Sequence, residues 1–137
     1  MIAPGRAPIL VIGLGCRQGC SVEDLHALIQ QALGQANLVV EAISALASID
    51  LKRQEPGLIQ LAAQLDRPFE VFSASQLRRY EPHLSHHSPI AFEQTGCWGI
   101  AESAALALAE QLSGHPATLL VRRQNSPMAT FALACAG

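Results

Sequence analysis

The stretch that decides the fold is Ile9-Leu-Val-Ile-Gly-Leu-Gly-Cys-Arg-Gln-Gly-Cys-Ser21. Its aliphatic start has no polar alternation, which predicts a strand covered on both faces and hence a parallel sheet. Gly13, Gly15 and Gly19 favour a sharp turn and a close approach of a ligand to the backbone. Ser21 is placed to cap a following helix, whose free N–H groups and positive dipole end attract carboxylates and phosphates.

Length and charge limit the classes of ligand. A chain of 137 residues is one domain by length, so we assign residues 1–137 to a single α/β domain. Its net charge of -2, with one Trp, one Tyr and four Phe, lacks the basic surface and the stacking platforms of a nucleic-acid binder. All cations but Lys52 are arginines, which pair bidentately with carboxylates. A ligand rich in carboxylates therefore fits better than nucleic acid.

The compartment is predicted from hydropathy and from the cysteines. No apolar run reaches the roughly 20 residues that a membrane-spanning helix needs. Pro4, Arg6 and Pro8 make the start of the chain unlike a secretion signal. We expect a soluble cytoplasmic protein with no membrane partner and with reduced thiols at all cysteines. The cysteines are Cys16, Cys20, Cys97 and Cys135.

Strand and helix patterns alternate along the chain. A helical apolar face begins at Val22 and ends before Gly34, and Pro56 suits the first turn of a second helix. Ser73-Ala-Ser-Gln76 has the spacing of a capping box, and a longer helix is predicted at about 99–113. After the first strand, further strands are predicted at 43–49, 69–72, 117–121 and 128–134.

This order predicts an α/β fold with a three-layer open, mainly parallel sheet and helices on both faces. Residues 122–127 are too few for a crossover helix, so the last two strands should form a C-terminal antiparallel hairpin at a sheet edge. Residues 81–95 show no period and predict a long loop that is functional or mobile. The histidines in this segment are expected to be solvated surface residues: His83, His86 and His87.

In open parallel sheets, ligands bind beyond the carboxyl ends of the strands, near the point where strand order reverses. We call this edge the rim, and it comprises residues 15–21, 48–53, 72–75 and 95–96, with the start of the helix at 99–113. The rim side chains that suit binding or catalysis are Arg17, Asp50, Lys52, Glu55, Ser73, Thr95 and Glu102.

Two familiar motifs are incomplete. Gly13-Leu-Gly15 resembles the start of a dinucleotide fingerprint, but Gln18 stands where the third glycine is needed. Cys16 and Cys20 lack the matching Cys or His pair that a zinc site requires. We therefore predict no cofactor and no bound metal.

Other polar residues have two interpretations each. Asp50 is either a general base or a turn former after its strand. Glu102 either acts at the site or complements the dipole of its helix. Arg122 and Arg123 are either ligand contacts or charges that protect a sheet edge from aggregation.

Four sequence blocks occur in the order of a known family. They are Gly13-Leu-Gly-Cys-Arg-Gln-Gly-Cys-Ser21, Ala47-Ser-Ile-Asp-Leu-Lys52 with Glu55-Pro-Gly-Leu58, Phe72-Ser-Ala74, and the altered block Gly96-Cys-Trp-Gly-Ile-Ala-Glu-Ser-Ala-Ala105. Over nearly its whole length, the chain resembles the cobalamin-biosynthesis CobE/CbiG C-terminal domain family. The terminal hairpin departs from the family pattern, which has a proline and lysines at the places of Arg122, Arg123 and Asn125.

The resemblance implies a role in building the corrin ring of vitamin B12. In the anaerobic route, the related domain is the C-terminal part of an enzyme that opens a ring lactone of a cobalt-precorrin and releases a two-carbon aldehyde. This chain resembles the stand-alone version associated with the aerobic route. We therefore expect an auxiliary or carrier protein that binds a precorrin or corrinoid intermediate.

Corrinoid intermediates carry acetate and propionate arms around a large apolar macrocycle, so their site needs cations and N–H donors beside apolar walls. Candidates for the walls are Leu14, Leu51, Phe72 and Trp98. The predicted ligand-binding residues are Gly15, Cys16, Arg17, Gly19, Ser21, Asp50, Lys52, Ser73, Thr95 and Gly96.

Two other functions are open. The first is hydrolysis of a precorrin ring lactone, with Asp50 or Glu102 activating water and helix N–H groups stabilising the oxyanion. The second is a purely structural partnership with other cobalamin-biosynthesis enzymes, for which an exposed apolar patch would replace the cleft.

Overall fold

A five-stranded mixed sheet forms the centre of the fold. The computed structural model describes residues 8–137, and Pro4 and Arg6, which entered the prediction of the compartment, lie outside the described residues. The strands are β1 (Ile9–Cys16), β2 (Ala45–Ile49), β3 (Phe69–Phe72), β4 (Ala117–Asn125) and β5 (Ala129–Ala136). Their order across the sheet is β3-β2-β1-β5-β4. The first three are parallel and β5 is antiparallel to both neighbours, which confirms the predicted parallel core and C-terminal hairpin.

Helices cover both faces of the sheet. They are α1 (Val22–Gln35), α2 (Pro56–Leu65), α3 (Ala74–Arg78), α4 (Pro89–Thr95) and α5 (Ile100–Ser113). Leu10, Ile12 and Leu14 of β1 pack with α1 and α2 on one face. Val11, between them in sequence, packs with α3 and α5 on the other face, because successive side chains of a strand point in opposite directions. The predicted three layers are therefore confirmed.

None of the helices within residues 8–137 combines the length and the hydropathy needed to cross a membrane.

The helix ends follow local sequence signals. Ser21 caps α1, because its Oγ accepts a hydrogen bond from the N–H of Asp24 at 3.1 Å. Ser73 and Gln76 form the predicted capping box at the start of α3. Gly114 ends α5 in the left-handed conformation (φ 72°), which glycine adopts without steric cost.

The structure corrects several predicted boundaries. β1 continues through Cys16, so Gly13 and Gly15 lie within a strand rather than in the turn that follows it. β2 begins at Ala45 rather than at residue 43, because a 3-10 turn at Val40–Ala42 precedes it. β4 continues past residue 121 because its pairing with β5 extends to Asn125, which leaves only residues 126–128 in the hairpin turn.

Residues 81–95 are not the irregular loop that the sequence predicted. A 3-10 turn occupies Glu81–His83, and α4 occupies Pro89–Thr95 with Ser88 as its cap. A helix of seven residues is too short to show a hydrophobic period, which is why the sequence pattern missed it. The predicted exposure of the histidines is confirmed for His83, His86 and His87.

Gly13 brings α5 into backbone contact with β1. A Cβ atom at this position would lie 1.8 Å from the carbonyl oxygen of Ala101 and 2.8 Å from the backbone nitrogen of Ala105. Both are main-chain atoms, so no side-chain rotation relieves the contact. Gly13 therefore serves the packing of a helix, whereas the sequence suggested a turn and an approach of ligand to the backbone.

We predict that Gly13→Ala lowers the free energy of unfolding by about 1–3 kcal/mol, because α5 must move away from the sheet to admit the methyl group. Gly34→Ala in α1 is the matched control, since a Cβ at Gly34 meets no atom within 4 Å. Alanine should stabilise that helix by up to about 1 kcal/mol. Urea unfolding followed by circular dichroism measures both changes, and equal effects of the two substitutions would refute the packing role of Gly13.

Candidate functional site

The rim is formed where the carboxyl ends of β1, β2 and β3 meet. The hairpin reaches the same edge, because Cys16 at the end of β1 lies opposite Ala129 at the start of β5. The N–H of Arg17 donates to the carbonyl of Met128 at 2.9 Å, which joins the first turn of the rim to the hairpin turn. The Arg17 residue itself is exposed.

The side chain of Glu55 stabilises the turn between β1 and α1. Its Oε2 accepts a hydrogen bond from the N–H of Gly19 at 3.1 Å, and its Oε1 lies 3.6 Å from Nζ of Lys52. Gly19 has φ 80°, a conformation that favours glycine. The carboxylate of Glu55 is buried. It therefore already binds the N–H of Gly19, which the sequence suggested as a donor to a bound anion. Lys52 keeps 21% of its side chain exposed at the rim.

Cys16 lies within the electrostatic reach of this pair and carries a protonated thiol. Burial raises its pKa to about 11, and the nearby Cys20 and Glu55 act in the same direction, while the charge of Lys52 opposes them. A thiol with this pKa is a weak hydrogen-bond donor at neutral pH rather than a nucleophile.

A second group of contacts joins β2, α3 and the segment before α5. Sγ of Cys97 donates to the carbonyl of Ala74 at 3.4 Å, and Nε of Arg78 donates to the carbonyl of Gly96 at 3.0 Å. Burial raises the pKa of Cys97, and Asp50 lies near enough to contribute to this increase. The structure thus brings the end of β2, the start of α3 and Gly96 to one part of the rim.

Several predicted ligand-binding residues have partners inside the protein. The hydroxyls of Ser21 and Ser73 cap helices. Oγ1 of Thr95 donates to the carbonyl of Ala91 at 2.6 Å, one turn back in α4. Gly15 lies in β1, where a Cβ would approach Oγ1 of Thr130 to 2.7 Å. These four residues therefore shape the rim, whereas Arg17, Asp50 and Lys52 present side chains that are exposed or partly exposed there.

Glu102 is buried beneath the segment before α4. Its Oε1 accepts from the N–H of Ser85 at 2.8 Å, and its Oε2 accepts from the N–H of Arg123 at 3.0 Å and from the Ser85 hydroxyl. Only 1% of the residue is exposed. The carboxylate joins the 81–88 segment to β4, a structural role that the sequence did not suggest.

An aromatic pair lies beside the rim. The ring of Trp98 stacks on Phe92 of α4 with centroids 4.5 Å apart and planes at 20°. Phe92 is 42% and Ile90 is 68% exposed, so α4 presents an apolar surface next to Thr95 and Gly96. The sequence did not predict this surface of Phe92 and Ile90, because residues 81–95 show no helical period, although Ser88-Pro89 is a recognisable helix start.

The predicted apolar walls divide into two pairs. Leu14 and Phe72 are core residues, with 0% and 7% exposure. Leu51 is 65% exposed and Trp98 is partly exposed, so only these two reach the surface.

Within residues 8–137, no group of His, Cys, Asp and Glu side chains is arranged to hold a metal ion, and all four cysteines are free thiols.

Comparison with known proteins identifies the family. The model of the family described as "Cobalamin synthesis G C-terminus" matches residues 10–134. The chain belongs to this family. It is 36% identical to a protein named "Protein CobE" from Sinorhizobium sp. over 125 residues, which cover 91% of this chain and 79% of that protein. The resemblance seen in the four sequence blocks is thereby confirmed.

A solved structure agrees with this assignment to the cobalamin synthesis G C-terminal family. The fold is similar to the crystal structure of CobE, a protein from the cobalamin (vitamin B12) biosynthetic pathway, with a TM-score of 0.91, 46% identity and coverage of 95% of this chain and 92% of that one. The chain is also 30% identical to the cobalt-precorrin-5A hydrolase of Priestia megaterium over 88% of its own length, but it spans only 30% of that enzyme. Membership of a cobalamin-biosynthesis family is therefore shown.

We predict that Cys16 reacts slowly with iodoacetamide and that its rate rises about tenfold per pH unit from pH 7 to 9.5 without levelling. The reason is its pKa of about 11 against an ordinary value of 9.0. Lys52→Met should slow the reaction further, because the charge of Lys52 lowers that pKa. Mass spectrometry of the Cys16 peptide gives the rate, with N-acetylcysteine as the reference thiol. A rate that levels below pH 9 would contradict the burial of this thiol.

We predict that Glu102→Gln lowers the free energy of unfolding by about 1–3 kcal/mol, because an amide cannot accept all three hydrogen bonds that the carboxylate accepts. Glu93→Gln, on the exposed side of α4, is the control and should change it by less than about 0.5 kcal/mol. Thermal and urea unfolding provide the comparison. Equal effects of the two substitutions would show that the hydrogen bonds of Glu102 between the 81–88 segment and β4 do not stabilise the fold.

Proposed function

We propose that this protein binds a precorrin or other corrinoid intermediate at the rim and acts as an auxiliary or carrier protein in the aerobic route of cobalamin biosynthesis. The observation that carries the proposal is the presence of two cations, Arg17 and Lys52, on turns joined through Glu55 and Gly19. The pathway intermediates carry several carboxylate arms, and such arms pair with cations and backbone N–H groups.

Hydrogen bonds and strand pairing fix the two turns that carry these cations. Arg17 follows a residue paired to β5 and donates its own N–H to Met128. Lys52 lies in the 3-10 turn Asp50–Lys52 and pairs with the buried carboxylate of Glu55. A turn that is already ordered loses less entropy when a ligand binds to its side chains, which favours a carboxylated ligand here.

The apolar surface beside the rim supports the same class of ligand. The carbonyl of Phe92 accepts a hydrogen bond from the N–H of Gly96, which belongs to the rim. The Phe92 ring stacks on Trp98, and Ile90 is exposed on the same helix. A corrin ring offers an apolar face of comparable character, and exposed apolar patches of this kind commonly mark binding surfaces. The proposed contacts are Arg17, Asp50 and Lys52, with Cys16, Gly19 and Gly96 beside them, while Gly15, Ser21, Ser73 and Thr95 take part by shaping the rim.

A second candidate function is hydrolysis of a precorrin ring lactone. It is favoured by the relatives named cobalt-precorrin-5A hydrolase and by Asp50, a partly exposed carboxylate at the rim. Asp50 would be the base in this reaction. Glu102 is a weaker candidate, because its carboxylate accepts three hydrogen bonds within the protein and is 1% exposed.

The test is retention of pigment. The purified protein is incubated with a panel of precorrin and corrin intermediates, bound and free pigment are separated by gel filtration, and the pigment is analysed by absorbance and mass. We expect one unaltered intermediate to be retained, and Arg17→Ala to weaken its binding about tenfold or more through loss of a charge-assisted contact. Arg79→Ala is the control, since Arg79 is a surface residue with 73% of its side chain exposed.

Each outcome has a distinct meaning. Loss of a two-carbon fragment that Asp50→Asn abolishes would replace the carrier proposal by the hydrolase. Retention that is insensitive to Arg17→Ala would remove the first turn from the site. Absence of both retention and change would refute corrinoid binding and direct attention to protein partners of the pathway.

A further inference from the structure

An open groove of about 500 Å³ lies on the α5 side of the sheet, away from the rim. One wall is the edge strand β4 and the other is the segment around Leu84. Ala117 and Leu119 of β4, both partly exposed, give it apolar surface, whereas Leu106 of α5 is only 2% exposed. Its volume is in the range of sites that hold small molecules.

The groove is separate from the proposed corrinoid site. It begins at Ala117, which pairs with Ala136, and Ala136 in turn pairs with Ile9 at the amino end of β1. The rim lies at the other end of β1, at Cys16. The groove therefore runs along the outer edge of the sheet toward Arg122.

The polar lining of the groove is basic. Arg122 lies on the β4 wall and His83 on the wall around Leu84, and the hydroxyl of Thr118 adds a hydrogen-bonding group. Among the residues that the structure describes, none that lines the groove is acidic. Arg122 and His83 are exposed and have no carboxylate partner among the ion pairs of the described chain. The lining thus complements a negative charge.

The shape of the groove is built into the fold. Glu102 accepts hydrogen bonds from Ser85 on one wall and from the N–H of Arg123 on the other, so it sets the distance between the walls. The register of β4 against β5 shifts twice between Leu119 and Gln124, and such irregularities bend a strand locally. The negative charge of Glu102 is itself buried and bonded, so it does not line the groove.

An added strand fits this edge poorly. The N–H of Arg123, one of the donors that a new strand would need, is already bonded to Glu102. Antiparallel pairing of two copies centred on this part of β4 would also bring the charges of Arg122 and Arg123 of both copies into one interface, which like-charge repulsion disfavours.

We propose that this groove is a second binding site, for a small amphipathic anion that places an apolar body against Ala117 and Leu119 and a carboxylate or sulfonate at Arg122. The inference is independent of what binds at the rim. It rests on the basic and apolar lining and on the preformed separation of the two walls.

The experiment uses two matched probes on the full chain, anilinonaphthalene sulfonate and its uncharged analogue N-phenylnaphthylamine. Titration is followed by probe fluorescence and by amide chemical shifts in two-dimensional NMR of the labelled protein. We expect one saturable site, with the largest shifts at the amides of Ser85, Thr118 and Leu119. The sulfonate should bind about fivefold or more tightly than the neutral probe.

Charge variants identify the anchor. Arg122→Gln should weaken sulfonate binding about fivefold and leave the neutral probe unchanged, whereas Arg53→Gln, an exposed arginine outside the groove, should change neither. Arg17→Ala at the rim should also leave sulfonate binding unchanged. The Arg122 and Arg53 substitutions replace exposed side chains, so folding is checked simply by the unchanged NMR spectrum.

Four results would overturn the proposal. They are no saturable binding, equal affinity for the two probes, equal effects of Arg122→Gln and Arg53→Gln, or chemical shifts centred on the exposed Ile90 and Phe92 surface of α4. Binding of the neutral probe alone in the groove would likewise show that the basic lining does not select the ligand.

Discussion

The backbone contact between Gly13 and α5 is the constraint on which the other features of this molecule depend. With no side chain between them, the helix lies against the centre of the sheet, and its first residue, Ile100, reaches Gly15 near the end of β1. The residues just before it, Gly96 and Cys97, are consequently held against α3 at the rim. The same placement directs Glu102, in the first turn of α5, toward β4 rather than toward the rim.

Two buried carboxylates then set the shape of the two candidate sites. Glu55 accepts the N–H of Gly19 and fixes the turn that carries Arg17, while Glu102 joins Ser85 to β4. A buried carboxylate is stable only when its oxygens are hydrogen-bonded, and backbone N–H groups of turns and bulges provide such donors at fixed positions. Glu55 and Glu102 have carboxylates, which act as acids and bases in many enzymes, but here they stabilise the surfaces on which ligands would bind.

Particular elements show how far the sequence could predict the fold. The starts of α1 and α3 were predicted because Ser21 and Ser73 are capping residues whose signals lie within four residues. The strand Phe69–Phe72 was predicted correctly because polar residues flank a short, mainly apolar run. α4 was missed because seven residues are too few for a period. The end of β4 was missed because its residues 122–125 are all polar and therefore show no strand pattern. For the candidate site, the sequence located the three turns of the rim but not the internal partners of their hydroxyls and N–H groups.

By itself, the sequence determined the α/β class, the parallel strands with their terminal hairpin, the caps of the main helices and the membership of a cobalamin-biosynthesis family. These properties are local or periodic, so they can be recognised from residues that are close together in the sequence. Only the tertiary structure decided that Gly13 faces a helix, that Glu55 and Glu102 are structural, and that a basic groove borders β4. Each of these depends on residues 17 to 92 positions apart in the chain, whose distances are set by the packing of α5 and α2 on the sheet.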